Sequence, residues 1–284
     1  MSGDDEVMRI AVINSDGKDA PVLAAPDGID VRLQELRVRA FARTPYDHLL
    51  VELAHVDAAE TALADGCDAL LIDTFGDYAI ERIRTVSTVP VVGAGEAGIA
   101  EAADGGRRFS IVTVWPESMG WLYRERLANC AGGVACSGVH HVGAEEELDR
   151  VGTAAGVKAR MIRGEGATVD AIVAACHRAV AQDSSDAVLL GCTCMSPIAA
   201  AVQSRCSFPV IDASEAGLRS AYHVVRSGRS ATRPLGTQRA GTIPSIIDAW
   251  LATGEVPNPD ECDVCVFTAP ATKSNEEKGP HALR

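Results

Sequence analysis

The chain has 284 residues, of which 47% are hydrophobic, and it carries a formal net charge of -13 at pH 7. This length allows one large domain or two of ordinary size, each with a substantial core. The acidic balance argues against binding to nucleic acid, which usually requires a basic face. No apolar run reaches the roughly 18–20 residues that span a bilayer. The short acidic start is not typical of a signal peptide, so we expect a cytoplasmic protein with no membrane partner.

Nine cysteines are scattered along the chain. A secreted disulfide scaffold would be smaller and denser in cysteine, so most of these thiols are predicted to be free. Cys262 and Cys265 have the spacing of a metal-binding pair, but no second pair accompanies them. We therefore predict no metal site.

Short apolar segments alternate with longer segments of helical periodicity. The strands predicted in this way are 9–13, 69–72, 89–92, 109–114, 134–142, 187–190 and 209–211. The predicted helices are 47–64, 77–85, 96–103, 117–130, 168–182, 197–204, 214–227 and 243–252. Most of the strands are largely apolar, which is typical of strands buried on both faces. The alternation with helices predicts parallel sheets built from βαβ units.

Two stretches of the chain share one order of features: strand, turn, helix, strand, and Glu-Ala-Gly at the start of a helix. Their landmarks pair as Asp68 with Asp186, Thr74 with Cys192, Pro90 with Pro209, and Glu96 with Glu215. A weaker similarity pairs 10–14 with 109–113. The fold class predicted from this duplication is α/β, with two similar Rossmann-like parallel-sheet domains related by a pseudo-two-fold axis and a site in the cleft between them.

The predicted boundaries follow from the positions of the two copies. Residues 1–105 and 208–267 form the first domain, and residues 106–207 form the second. The segment 268–284 is polar and rich in charged and small residues, so we predict a disordered tail.

The turns after two equivalent strands carry the candidate chemistry. Ligands in open α/β sheets bind beyond the carboxyl ends of the strands, which places Thr74 and Cys192 on opposite walls of one cleft. Cys192 follows Gly191 and precedes a helix, where free N–H groups and the helix dipole favour a thiolate. Such a thiol is suited to proton transfer near neutral pH, and Thr193 offers a hydroxyl and an N–H to an oxyanion. For Cys194 we predict only a packing role.

Several segments match a known family in order. They are Thr74-Phe75-Gly76-Asp77, Val89-Pro90-Val91-Val92-Gly93, Glu96-Ala97, Phe109-Ser110-Ile111-Val112-Thr113, and Leu190-Gly191-Cys192-Thr193 with Met195. With these segments the chain resembles the Asp/Glu/hydantoin racemase superfamily over residues 8–226, and most closely its hydantoin racemase branch. The resemblance implies two α/β domains around a pseudo-dyad, no cofactor, and a homo-oligomer. It also implies a pair of cysteines that exchange a proton on opposite faces of a carbon acid.

The chain departs from the family pattern at two positions. Thr74 stands where the branch typically has a cysteine, and the segment after Asn14 does not match the family's Asn-Pro-Asn-Thr. A threonine hydroxyl is a poor base unless a neighbour takes its proton, and Asp77 is a candidate for that role.

The resemblance and the turns together assign a role to each site residue. Cys192 is the catalytic acid/base, with Thr74 opposite it. The substrate-binding residues expected around this pair are Asn14, Phe75, Gly76, Thr113 and Thr193.

We predict a cofactor-independent racemase or epimerase that acts on a small hydantoin-like or amino-acid-like substrate. Two alternatives use the same scaffold, a decarboxylase of a substituted malonate and a cis–trans isomerase. A third is a non-catalytic protein that binds a small ligand. Reactivity of Cys192 separates the third from the others, because a binding protein does not need a thiol of low pKa.

Overall fold

The computed structural model describes residues 7–14, 25–228 and 240–253. The predicted tail and the pair Cys262 and Cys265 lie outside these residues. In the described ranges, no helix is both long and apolar enough to cross a membrane.

In the described residues, eight parallel strands form two sheets of four, and the two sheets have the same strand order. The first sheet has the order β2-β1-β3-β4 and comprises β1 (Met8–Ile13), β2 (Ile29–Gln34), β3 (Ala69–Ile72) and β4 (Val91–Gly93). The second has the order β6-β5-β7-β8 and comprises β5 (Phe109–Thr113), β6 (Cys136–His141), β7 (Ala187–Leu190) and β8 (Val210–Asp212). The prediction of two similar parallel-sheet α/β domains is confirmed.

Helices surround the sheets. They are α1 (Pro45–Ala64), α2 (Ile80–Val86), α3 (Ala94–Ala103), α4 (Gly120–Asn129), α5 (Val157–Ile162), α6 (Gly166–Asp183), α7 (Ser196–Gln203), α8 (Ala213–Arg226) and α9 (Thr242–Ala252). The start of α1 shows how sequence fixes a boundary. Thr44 caps the helix in a reciprocal capping box with Asp47, and Pro45 occupies the first turn, where its missing N–H costs nothing.

The register of the strands reproduces the sequence repeat. Ile10 pairs with Ala69 in the first sheet, and Phe109 pairs with Ala187 at the equivalent place in the second. The prolines at the start of β4 and β8 are equivalent as well. The carbonyl of Pro90 accepts a hydrogen bond from β3, and that of Pro209 accepts one from β7, both at 2.9 Å.

One helix from each half packs on the sheet of the other half. Helix α3 follows the first sheet, yet its Ile99 packs in one apolar cluster with Leu189 of the second sheet. Helix α8 follows the second sheet, yet its Leu218 packs with Leu71 of the first. Both sheets therefore have one face that is covered by a helix from the opposite half.

This exchange differs from the predicted domain boundaries. Residues 208–267 were predicted to join the first domain, but β8 pairs with β7 and is therefore an edge strand of the second sheet. The chain crosses between the halves at 93/94 and 212/213, where β4 and β8 end and α3 and α8 begin. A short apolar strand does not reveal which sheet it joins, because either sheet would bury it equally well.

The two exchanged helices cross at small residues. A Cβ atom added to Gly98 would lie 3.1 Å from the Cα of Ala213, and one added to Gly217 would lie 3.0 Å from the Cα of Ala94. Gly98 and Gly217 are equivalent in the repeat, as are Ala94 and Ala213. The pseudo-two-fold axis therefore passes between α3 and α8 at their point of closest approach.

Candidate active site

A cleft lies at the carboxyl ends of β3 and β7, between the two halves, and encloses about 910 Å³ including its open mouth. Thr74 and Cys192 both line it, as do three more predicted residues, Phe75, Gly76 and Thr193. The cleft thus brings together five of the seven predicted site residues. Its other walls are mainly apolar and aromatic, with Phe41, Tyr78, Trp115, Met119, Leu122, Tyr123, Val151 and Val157.

Thr74 lies on the first wall, with its hydroxyl oxygen buried. Thr74 is only 4% exposed, and its Oγ1 has no hydrogen-bond partner among the described residues. A buried hydroxyl without a partner costs roughly 1–3 kcal/mol, which a bound ligand can offset by pairing with it.

Asp77 is not placed to activate Thr74. Its carboxylate accepts hydrogen bonds from the N–H groups of Gly95 and Glu96 at 2.8 and 2.7 Å, so it caps α3, and it lies 3.5 Å from the guanidinium of Arg126. Burial raises the pKa of Asp77 to about 7, against the opposing effect of Arg126. The suggestion that Asp77 assists Thr74 is wrong, because the backbone at Asp77 is left-handed, with φ of 46°, and turns its side chain towards α3.

The backbone that follows Thr74 is held by close packing. A Cβ atom added to Gly76 would lie 2.7 Å from the ring of Tyr78, so only glycine fits there. The ring of Phe75 packs on that of Tyr123, with 5.4 Å between centroids.

Cys192 stands on the second wall, before a 3-10 turn that leads into α7. Its Sγ accepts a hydrogen bond from the N–H of Cys194 at 3.2 Å. The sulfurs of the two residues are joined in a disulfide. The predicted packing role of Cys194 is therefore incomplete. Proton transfer by Cys192 requires the reduced form of this pair.

Gly191 allows the chain to enter this turn. A Cβ atom added there would lie 2.7 Å from the side chain of Ile111 and 3.0 Å from the ring of Tyr123. Glycine at position 191 is therefore required by packing.

Thr193 connects the two walls. Its hydroxyl donates a hydrogen bond to the carbonyl of Asp73 at 3.3 Å, and the carboxylate of Asp73 accepts one from the hydroxyl of Ser214 at 2.5 Å. Because Asp73 directly precedes Thr74, these bonds fix the turn of one half against the turn of the other.

A match to a family model over most of the chain identifies the family. The family model for Asp/Glu/Hydantoin racemase matches residues 24–221. The chain belongs to the Asp/Glu/hydantoin racemase family. The resemblance inferred from the ordered segments is confirmed.

Two curated relatives of this racemase-family chain are hydantoin racemases. The one from Pseudomonas sp. (strain NS671) is 28% identical over 194 residues, which is 66% of this chain and 70% of the relative. The one from Paenarthrobacter aurescens is 26% identical over 242 residues, which is 82% of this chain and 97% of the relative.

Solved structures show the same fold. Allantoin racemase from Klebsiella pneumoniae aligns with a TM-score of 0.68 and 23% identity, over 82% of this chain and 98% of its own. A double mutant of arylmalonate decarboxylase aligns with a TM-score of 0.56 and 20% identity, over 81% of this chain and 97% of its own.

Two predicted substrate-binding residues of this family member do not line the cleft. Asn14 is buried at the end of β1, directly before 15–24, which lie outside the described residues. Thr113 is fully buried, and its hydroxyl bonds to that of Tyr123, which in turn donates to the carbonyl of Gly191 at 2.9 Å. Thr113 thus contacts the cleft through two of its lining residues, Tyr123 and Trp115, and the N–H of Trp115 donates a hydrogen bond to the Thr113 hydroxyl at 3.3 Å.

Several polar residues of the cleft were missed from the sequence, among them Glu147, Thr153 and Lys158. Glu147 lines the cleft and is 9% exposed. Its Oε1 lies 3.0 Å from Arg160 and 3.3 Å from Arg150, while its Oε2 is buried without a partner among the described residues. Glu147 ends an acidic run that reads as a solvated surface, so no pattern in the sequence distinguishes it.

Proposed function

We propose that this chain is a cofactor-independent racemase or epimerase of a carbon acid, with a hydantoin-like or amino-acid-like substrate. The observation that carries the proposal is the placement of Thr74 and Cys192. These repeat-equivalent residues line one cleft from opposite halves, so a stereocentre bound between them has one on each face.

Cys192 is the proposed acid/base. In the reduced pair, the N–H of Cys194 and the start of the helical turn stabilise its thiolate. The thiolate takes the proton from the carbon next to a carbonyl, and the electron pair of that C–H bond moves onto the carbonyl oxygen. The backbone N–H groups near Gly76 and Thr193, with the hydroxyl of Thr74, are the proposed donors to this oxyanion.

Thr74, which faces the other side of the stereocentre, is a weaker acid and a poorer base than Cys192. Thr74 has no carboxylate partner, since Asp77 caps α3, and an unassisted hydroxyl is a poor base. We therefore expect asymmetry between the faces. The enantiomer whose proton points at Cys192 exchanges that proton with solvent faster than it inverts.

Glu147 supports a substrate that carries N–H groups. Its unpartnered Oε2 is an acceptor beside the cleft, and hydantoins and amino acids both supply N–H donors. The curated hydantoin racemases that the chain resembles support the same class of substrate.

The second candidate function is decarboxylation of a substituted malonate. It is favoured by one observation, the threonine opposite Cys192, because protonation after loss of carbon dioxide needs a single acid. A cis–trans isomerase would likewise need only Cys192, as a nucleophile. In both reactions Thr74 would serve as an oxyanion donor.

Proton exchange in deuterated water, followed by NMR, tests these functions. The reduced protein is incubated with 5-substituted hydantoins, amino acids and substituted malonates. The variant is Cys192→Ser, and the matched control is Cys206→Ser, whose thiol lies outside the cleft.

We expect deuterium to enter the stereocentre of a hydantoin or an amino acid, with loss of optical rotation, in the wild type and in the control but not in Cys192→Ser. Deuterium that enters only with release of carbon dioxide would replace the racemase with a decarboxylase. No exchange with any of these compounds would contradict both.

A further inference from the structure

The turn that carries the proposed acid/base also carries a second sulfur, and the two are bonded. Cys192 and Cys194 form a disulfide across a single intervening residue. We propose that this pair is a modification site for peroxides, in which oxidation to the disulfide blocks proton transfer and reduction by a dithiol restores it. The effect on turnover rests on the proposed function, whereas the modification itself does not.

The two sulfurs differ in their access to solvent. Cys192 is half-buried and lines the open cleft, where a small oxidant can reach it. The N–H of Cys194 donates to its Sγ, which favours the thiolate that reacts with peroxides. Cys194 is 7% exposed and lies directly behind Cys192, so it is placed to attack the oxidised sulfur of its neighbour.

The free cysteines of the described residues have a different environment. Burial raises the pKa of Cys67 and Cys136 to about 11 and that of Cys176 to about 12, and it raises the pKa of Cys130 and Cys206 as well. These groups stay protonated near neutral pH and are poor nucleophiles. Among the cysteines that the structure describes, Cys192 is therefore the expected target of peroxide.

The chemistry balances with hydrogen peroxide as the oxidant. The Cys192 thiolate attacks one oxygen, so an S–O bond forms, the O–O bond breaks, and one water leaves after proton uptake. The sulfur of Cys194 then attacks that of Cys192, the S–S bond forms, the S–O bond breaks, and a second water leaves. The two sulfurs lose two electrons, which reduce the peroxide. A dithiol reverses the reaction by thiol–disulfide exchange and becomes a disulfide itself.

The sequence allows a direct test by mass spectrometry of the full chain. Trypsin cleaves after Arg178 and Arg205, and peptide 179–205 contains Cys192 and Cys194 but no other cysteine. The reduced protein is treated with hydrogen peroxide, and the remaining thiols are blocked with iodoacetamide. The mass of the peptide is then measured before and after treatment with dithiothreitol.

The wild type is expected to lose both alkylation sites of this peptide by forming the disulfide and to regain both with dithiothreitol. The matched control Cys206→Ser is expected to behave identically. In Cys194→Ser the disulfide cannot form, so Cys192 proceeds to sulfinic acid, and dithiothreitol recovers about tenfold less free Cys192 than in the wild type. Cys194→Ala repeats the test without a hydroxyl, and far-UV circular dichroism checks that both variants fold.

Sulfinic acid at Cys192 in the wild type, to the same extent as in Cys194→Ser, would overturn the proposal. A peptide that keeps both thiols under peroxide would overturn it as well. Because mass is the readout, failure of the proposed function is distinguishable. A chain that forms the reversible disulfide but exchanges no substrate proton keeps this site and loses the racemase assignment.

Discussion

Thr74 and Cys192 occupy equivalent turns but differ in acidity, and this difference sets the chemistry expected of the cleft. Both positions could be predicted from the sequence, because the duplication aligns them and a strand end faces a ligand. The surroundings of Thr74 could not be predicted from the sequence. The left-handed backbone at Asp77 turns a nearby carboxylate away, and Glu147 enters the cleft from a run that looks like solvated surface.

A second thiol should remove the asymmetry between the two faces. We expect Thr74→Cys to speed inversion of both enantiomers about tenfold, because each inversion requires proton transfer at position 74 and a thiol is a far better proton carrier than an alcohol. Polarimetry with each enantiomer of the active substrate measures this. Thr74→Ser, which keeps the hydroxyl, is the matched control and should stay near the wild type. Equal rates for Thr74→Cys and Thr74→Ser would show that Thr74 lies off the proton path.

His55 should make the fold sensitive to acid. It is fully buried, its Nδ1 bonds the carbonyl of Val51 at 2.8 Å, and its ring packs on Tyr78. Burial lowers the pKa of His55 from 6.5 to about 4, so the unfolded chain binds the proton more readily than the native chain. Its contribution to stability is present above pH 6.5 and is lost as the pH falls towards 4.

From this group alone, the free energy of unfolding should be about 2 kcal/mol lower at pH 5 than at pH 7. Urea unfolding at both pH values measures the difference. His55→Gln should reduce it, whereas His223→Gln, at an exposed position, should leave it unchanged. An unchanged pH dependence in His55→Gln would assign the acid sensitivity to other groups.

Strands made of continuous apolar residues were predicted from the sequence, whereas an edge strand that alternates apolar and charged residues was not. The buried strands β3 and β7 match their predictions residue for residue. Strand β2 was missed because it lies at a sheet edge, buries only Ile29 fully, and alternates with charged residues. Helix α5 has six residues and is too short to show periodicity.

The crossing of α3 and α8 should not tolerate side chains. Gly98→Ala and Gly217→Ala would each place a methyl group about 3 Å from the opposite helix, and we expect each to lower the free energy of unfolding by roughly 1–3 kcal/mol. The matched control is Gly166→Ala at the start of α6, where an added Cβ meets nothing within 4 Å. Chemical denaturation compares the three. Equal stability of all three variants would mean that the crossing accommodates a methyl group at both positions.

At the scale of the whole molecule, the sequence predicted two similar halves but not how the chain divides between them. Repeats identify equivalent segments, whereas the sheet that a helix covers depends on contacts far apart in sequence. Helix α3 covers the second sheet and α8 covers the first, so each core includes residues from both halves.

The two halves should therefore unfold together. Tryptophan fluorescence reports on Trp115 and Trp121, which pack on Phe41 and His48 of the first half, and on Trp250, in α9, which packs on α1. With Trp250→Phe as the comparison, we expect one thermal midpoint in both proteins and the same midpoint by far-UV circular dichroism, because unfolding either half strips a helix from its neighbour. Two separated midpoints would contradict this coupling.

The exchanged helices also bear on how such a chain can arise. A half-length ancestor could not cover its own sheet, and the exposed apolar face would require a second copy of the same polypeptide to supply the missing helix. Such an ancestor would be a homodimer with two identical residues facing each other across its axis. Gene fusion removes that constraint of identity, since each position then mutates alone. The present pairing of an alcohol with a thiol is an outcome that a symmetric dimer could never reach.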